Sequence, residues 1–378
     1  MQRALLAASA VEAFFLLTLL GYGPLYLHQA FHASDVLASM AAAAPALAMF
    51  LGSTWWGHRL SRLGTRRAAF IGIAGYLAGG LVIFAAPGPW AYIIGLMGST
   101  LLSSALAPAT LTLLTVGGGD MGRRLAGRLQ WQSSGWLLGG LVSGYAVSVV
   151  PRGFADLEAA LAVLMVIPAV LMARAPGSVH AAPPAEEKMA GATGLTILLV
   201  LPFFLAYAGN EGFFTNFGLY LRALHIPTTW VGWSASISTA LGWVMASSIG
   251  RWADRFGGKA LLIRVLMAYT VMYLAMSLAR SEIVVIVAFS VPLYPLLNIG
   301  IQRAVAESLP ARLHGGAMGL INGASGLATT GGSLMMGTMS NFAGPHTMPW
   351  TAVSLVLAGL VLAQVLYRPS RRSRLSEP

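Results

Sequence analysis

Long apolar runs punctuated by short polar breaks organise this chain. Twelve of them, 4–27, 35–56, 68–86, 90–115, 125–149, 155–173, 193–221, 229–249, 260–279, 283–304, 314–340 and 349–367, are about 20–28 residues long, enough for a helix to cross a hydrocarbon layer about 30 Å thick. Barrel strands would instead read as alternating segments of about ten residues. The breaks fall on turn formers: Pro87-Gly88-Pro89, Gly117-Gly118-Gly119-Asp120, Pro151-Arg152-Gly153, Pro227 and Pro345. One long polar linker, 174–192, carries Pro176, Pro183, Pro184, Glu186, Glu187 and Lys188, and it separates residues 1–173 from residues 193–367. A basic tail, 368–378, ends the chain. The pattern predicts an all-α integral membrane protein of twelve transmembrane helices in two six-helix halves.

Composition supports this and removes several rivals. Only 9% of the 378 residues are charged and 57% are hydrophobic, against about 25% charged in soluble domains. The absence of cysteine excludes disulfides, thiolate metal sites and cysteine nucleophiles. The N-terminal run extends past signal-peptide length without a small-residue cleavage site, so it is expected to remain as the first span. A net charge of +11 raises the question of nucleic acid. Placement answers it: apart from Arg152, Arg222 and Arg280, every Lys and Arg lies at the N-terminus, in an even-numbered connection or in the tail. By the positive-inside rule both termini are then cytoplasmic, in a bacterial-type inner membrane, and the excess base sets orientation.

Two charged, glycine-punctuated turns stand half a chain apart. Gly250-Arg251-Trp252-Ala253-Asp254-Arg255-Phe256-Gly257-Gly258-Lys259 is echoed by residues 57–67, with Gly57 on Gly250, Arg62 on Arg255, Gly64 on Gly257 and Arg66 on Lys259, and with Ser61 in place of the acid. Repetition at half length means two similar halves in parallel orientation, since the same basic turn faces the same side twice. Leu25-Tyr26-Leu27 likewise matches Leu219-Tyr220-Leu221, and Gly127, Ser133, Gly139 and Gly140 match Gly319, Ser325, Gly331 and Gly332 as small-residue rows for close helix packing. The turn resembles the signature loop of the major facilitator superfamily of secondary transporters. That resemblance implies pseudo-symmetric halves around a central cavity lined by the first helix of each half. It also implies a gating loop whose acid pairs with bases and with a helix end of the opposite half when the outside is open; the serine at position 61 softens this latch.

Only Glu12 and Glu211 among the twelve acids lie well inside predicted spans, the first and the seventh, whereas Glu158 reads as lying near an outer end. An ionisable group in hydrocarbon is costly and faces a cavity or a partner. Desolvation favours protonation of a buried carboxyl, which suits a coupling group. Helical spacing sets Tyr207, Glu211, Phe214, Thr215 and Gly218 on one face beside Asn210, while Phe15, Tyr22 and Tyr26 follow Glu12 at three- and four-residue steps. An acid among aromatics and amides suits a cationic or amphipathic ligand. Asn298 and Gln302 add amides on span ten, which lines the cavity in the superfamily.

Span four, 90–115, has no charge, against an arginine in many family members, which disfavours anion exchange. The Gly-Pro motif of the family's antiporters is missing from 135–145, which counts against the drug-antiporter branch. Gly117-Gly118-Gly119 lacks the Lys-Ser/Thr of a phosphate cradle, and His28 with His32 is a weak metal pair where a helix should end. The expectation is therefore a transporter and not an enzyme. It is driven by a proton gradient without cofactor or metal, acts as a monomer on a small molecule, and exports amphipathic or cationic solutes in the manner of multidrug and sugar efflux branches. The alternative is a proton symporter or facilitator taking up a neutral solute such as a sugar or nucleoside.

Overall fold

The computed structural model describes residues 2–115, 121–149, 152–174, 192–279, 281–309 and 314–367. Most of the linker 174–192, the Gly117–Gly119 loop, Pro151, Arg280, Arg312 and the 368–378 tail lie outside the described residues. Fifteen helices account for nearly all the rest: α1 (Gln2–Phe31), α2 (Asp35–Leu63), α3 (Thr65–Ala85), α4 (Pro89–Ser103), α5 (Leu106–Thr115), α6 (Met121–Val149), α7 (Gly153–Leu164), α8 (Val166–Ala173), α9 (Ala192–Ala223), α10 (Thr229–Phe256), α11 (Gly258–Leu278), α12 (Glu282–Phe289), α13 (Leu293–Ser308), α14 (His314–Ala343) and α15 (Thr347–Leu366).

These helices make twelve rods, because α4–α5, α7–α8 and α12–α13 are each one span broken in the middle. Proline explains all three breaks. Pro108, Pro168 and Pro295 each stand third in the second piece, where the ring lacks an N–H and crowds the carbonyl four residues back. By contrast Pro24, Pro45 and Pro202 sit inside continuous helices.

Among the described residues, nine of the rods are long and apolar enough to cross a membrane. The other three, α6, α10 and α14, are of 28–30 residues and are rich in Gly and Ser. Two contacts between the halves explain their composition: α6 packs on α10, and α14 on α2. A helix that spends a face on protein rather than lipid can trade apolar bulk for close approach.

The repeated basic turns turn out to be single residues. α2 runs to Leu63 and α10 to Phe256, beyond the predicted span ends, and only Gly64 and Gly257 separate them from α3 and α11. Both glycines have positive φ, 77° and 73°, and their N–H groups bond back to Leu60 and Ala253 at 2.9 and 3.0 Å. A left-handed residue that ends one helix and admits the next explains the glycine at both places. The side of the molecule bearing these turns is called here the basic face.

Candidate functional site

Each span-embedded acid is held by its own half. Glu12 on α1, 6% exposed, accepts a hydrogen bond from Tyr76 Oη of α3 at 3.0 Å, and Phe15 packs edge-on against that tyrosine ring at 5.2 Å. Its Oε2 is buried with no hydrogen-bond partner. The charge of Arg128, on α6, bears on the carboxyl, and the Arg128 Nε is itself buried and unbonded. Sequence reasoning treated Arg128 as an orientation signal. Its place opposite Glu12 depends on the packing of α6 against α1, which no spacing within either helix reveals.

Tyr76 is the donor on Glu12 Oε1, so Tyr76→Phe should cost about 1–3 kcal/mol, the penalty for stripping a buried group of its bond. Adding Glu12→Gln should cost less in this background than in wild type, because the Tyr76 bond is already gone and only the pairing with Arg128 remains to be lost. Thermal unfolding of the single and double variants in detergent measures both, and strict additivity would show that the two side chains do not interact.

Glu211 on α9, 9% exposed, sits in a different environment. Its Oε1 accepts from Asn210 Nδ2 at 3.2 Å, and Asn210 Oδ1 accepts from Tyr273 Oη, also at 3.2 Å. Tyr207, Tyr269, Tyr273 and Tyr294 all lie within electrostatic reach of the carboxyl, and the Tyr207 and Tyr294 hydroxyls bond to each other at 3.1 Å. Among the described residues no cationic side chain bears on Glu211. The three tyrosines on α11 and α13 escaped sequence reasoning, although a signal existed. The shift that carries Gly64 to Gly257 (257 − 64 = 193) also carries Tyr76 to Tyr269 (269 − 76 = 193).

Tyr294, Asn298 and Gln302 recur every four residues on α13, and all three are partly or wholly exposed. Asn298 Nδ2 bonds back to the Tyr294 carbonyl at 3.1 Å. A row of amides and a phenol is poorly suited to lipid. Through Tyr294 and Tyr207 it leads to Glu211.

The other aromatic and hydroxyl candidates are engaged in packing. Thr215 pairs its hydroxyl with Ser333 of α14 at 2.7 Å, matching Thr18 with Ser143 in the first half, so it ties helices together. Tyr22 donates to the Thr228 carbonyl and accepts from Gly232 N–H at 2.8 Å, linking α1 to the start of α10. Tyr26 stacks on Phe154 at 4.7 Å. Phe214 lies parallel to Phe289, 6.3 Å away, and its ring reaches Gly21 of α1.

In the gating loop Asp254 pairs with Arg303 of its own half at 2.9 Å. Arg303 also holds Glu307 at 2.7 Å, and Glu307 Oε2 accepts from Gly258 N–H at 2.9 Å, capping α11. The expected partner was a helix end of the opposite half; in this conformation the acid is spent within its own half. Arg66 bonds the Ala173 carbonyl at the end of α8, Lys259 lies 6.0 Å from the Tyr367 ring, Arg255 lies 5.6 Å from Phe256, and Arg62 is exposed. Gly57 and Gly250 fall inside α2 and α10, and the side chain of Ser61 lies outside the described residues.

Among the described residues, the bonds between the halves gather away from the basic face. Ser39 donates to Asn216 at 2.6 Å, Ser340 to Asp35 at 2.5 Å and Ser236 to the Leu137 carbonyl at 2.7 Å. Over them opens a cavity of about 220 Å³ lined by His28, Asp35, Arg222 and His225. The molecule is drawn together on the face opposite the basic turns.

The sequence of residues 5–294 and 199–378 matches the family model described as Major Facilitator Superfamily, which covers the chain from end to end. The chain belongs to the Major Facilitator Superfamily. No curated protein matches it at a significant level. Among solved structures it resembles a bacterial homolog of the human lysosomal transporter Spinster, inward-facing and occupied, with a TM-score of 0.80 at 11% identity, covering 100% of this chain and 98% of that one. The nucleoside transporter NupG, in a point-mutant form, gives 0.78 at 13% identity over 97% and 100%. The peptide transporter POT, in a point-mutant form with sulfate, gives 0.73 at 15% over 97% and 93%. At such identities the likeness is one of fold. A superfamily transporter of small molecules, embedded in a membrane through many spans, is what the family and the fold establish.

Proposed function

We propose that this protein is a proton-coupled transporter that exports small cationic or amphipathic organic solutes by alternating access, with Glu211 as the coupling acid. The observation that carries this reading is the cage around Glu211: a carboxyl among four tyrosines and an amide, with no cationic side chain bearing on it among the described residues. Such a group is tolerable in a membrane when a proton or a cationic ligand neutralises it, and two charges competing for one carboxyl is the simplest form of exchange. Tyrosine faces add cation–π attraction, and the α13 stripe supplies polar contacts on the way in. Glu12, already faced by Arg128, acts in this reading as a structural acid of the first half. With the basic face cytoplasmic, the closure between Asp35, Ser39 and their partners lies on the outer side, and the conformation is inward-facing.

The test uses purified protein in liposomes containing a pH-sensitive dye, screened against candidate solutes under an imposed proton gradient. Export requires each solute molecule to move against protons. Co-movement of solute and protons would overturn the direction in favour of symport, and transport indifferent to any proton gradient would overturn coupling altogether.

A further inference from the structure

A third acid, unused in the mechanism above, lies buried on the side away from the basic face. Glu158 of α7 sits about one and a half turns in from Gly153, is 0% exposed, and neither carboxyl oxygen has a hydrogen-bond partner. Beside it on α4 the hydroxyl of Tyr92 is equally buried and equally unbonded, and the two groups lie within electrostatic reach. Gly23 of α1 makes room for that hydroxyl: a Cβ there would stand 3.4 Å from Tyr92 Oη. On the α3 side Gly80 brings the backbones so close that a Cβ would meet Ala162 at 2.4 Å and the Glu158 carbonyl at 3.4 Å. Tyr26, half-buried and stacked on Phe154, stands 5.8 Å from the Tyr92 ring.

Two carboxyl oxygens and one phenol hydroxyl are buried in this corner without a counter-charge among the described residues. The titratable and charged groups that face this corner are Tyr92 from α4 and Tyr26 from α1, with Arg152 and Asp156 at the rim acting on Tyr26. Arg152 itself is turned to Phe84, whose carbonyl it binds at 3.3 Å and whose ring it covers at 4.7 Å, while α3 and α6 present Gly80 and the Ala146 backbone. No described cation bears on Glu158. A trapped water could satisfy the hydrogen bonds but not the charge, so a carboxyl in this position requires a positive partner.

We infer that Glu158 and Tyr92 form a second binding site for a single positive charge, a proton or an alkali cation, within the first half and beside Tyr26. One carboxylate and a neutral phenol match one charge; a divalent ion would need more carboxylates than this corner holds. This site is separate from Glu211 and does not depend on the identity of the transported solute.

Infrared spectroscopy of the purified full-length protein, with thermal unfolding in NaCl against choline chloride, tests the inference without any substrate. If the partner is a proton, wild type shows a carboxylic acid band at the high frequency typical of an unbonded group. That band titrates away at alkaline pH, ignores sodium and is lost in Glu158→Gln. If the partner is an alkali cation, NaCl raises the Tm of wild type but not of Glu158→Gln, and Tyr92→Phe raises the half-saturating sodium about tenfold, the weight of one good contact. Identical carboxyl spectra and identical responses to pH and NaCl in wild type and Glu158→Gln would overturn the site. Should Glu158→Gln fail to fold, the Glu12→Gln/Glu211→Gln double variant decides: the band or the sodium response must survive in it, and loss of both overturns the assignment.

Discussion

Glu211→Gln should reduce proton-driven transport to the level of protein-free liposomes, and with it the exchange of a cationic solute at equal pH, while leaving yield and Tm intact. Glutamine keeps the shape of the side chain and can still accept from Asn210, so the hydrogen bonds joining Asn210 to Tyr273 and Tyr207 to Tyr294 need not move. What it removes is the ability to alternate between a neutral and an anionic state. A permanently neutral group imitates the proton-loaded carrier, which in this competition has no charge left to hold a cationic solute and cannot be driven. Glu12→Gln supplies the contrast. It leaves the buried Arg128 without the carboxyl that faces it, so its expected effect is a loss of stability, not of coupling. Measuring ΔpH-driven flux and Tm side by side separates the two. Wild-type driven flux in Glu211→Gln would remove this residue from the mechanism.

The contrast between the two acids also marks the limit of reading this chain from its sequence. Gly64 and Gly257 were legible because a positive-φ residue linking two helices favours glycine, so the half-length repeat announced itself. Helix ends were less so, since hydropathy records where the membrane stops and not where the helix does; α2 and α10 run on through charged residues to the glycine. Breaks within spans four, six and ten were written in Pro108, Pro168 and Pro295, but Pro24, Pro45 and Pro202 show why proline alone does not settle the matter. The tyrosine cage was hidden for another reason: Tyr269, Tyr273 and Tyr294 come to Glu211 from two other helices. Glu158 read as an end-of-span acid because five residues from a helix start looks superficial on paper. The close approach of α3 at Gly80 makes it one of the most buried acids in the chain.

Gly140→Val should hold the molecule open on the face opposite the basic turns. Gly140 of α6 and Gly232 of α10 meet backbone to backbone across the halves: a Cβ on the first would stand 2.2 Å from the Gly232 carbonyl oxygen, and a Cβ on the second 2.1 Å from that of Gly140. Neither contact can be relieved by turning a side chain. Gly139, one residue away, faces Phe14 of α1 instead, so the wedge enters the seam between the halves and spares the packing inside the first half. Overpacking of this kind costs about 1–3 kcal/mol. The nearby seam bonds, Tyr22 with Gly232 and Thr228 and Ser236 with the Leu137 carbonyl, are each worth about 0.6 kcal/mol in a membrane setting, so the wedge outweighs any one of them. A net shift of about 1.4 kcal/mol moves the balance of states tenfold. The chain contains no cysteine, so a single Ser39→Cys substitution reports on closure against a silent background. Ser39 is fully buried beside Asn216 in the closed form, and its replacement should react with a membrane-impermeant maleimide from that face about tenfold faster once Gly140→Val is added. Gly140→Ala, whose lone Cβ meets the same carbonyl, should give a smaller change in the same direction. Unaltered labelling in both would mean that the α6–α10 seam is not what holds that face shut.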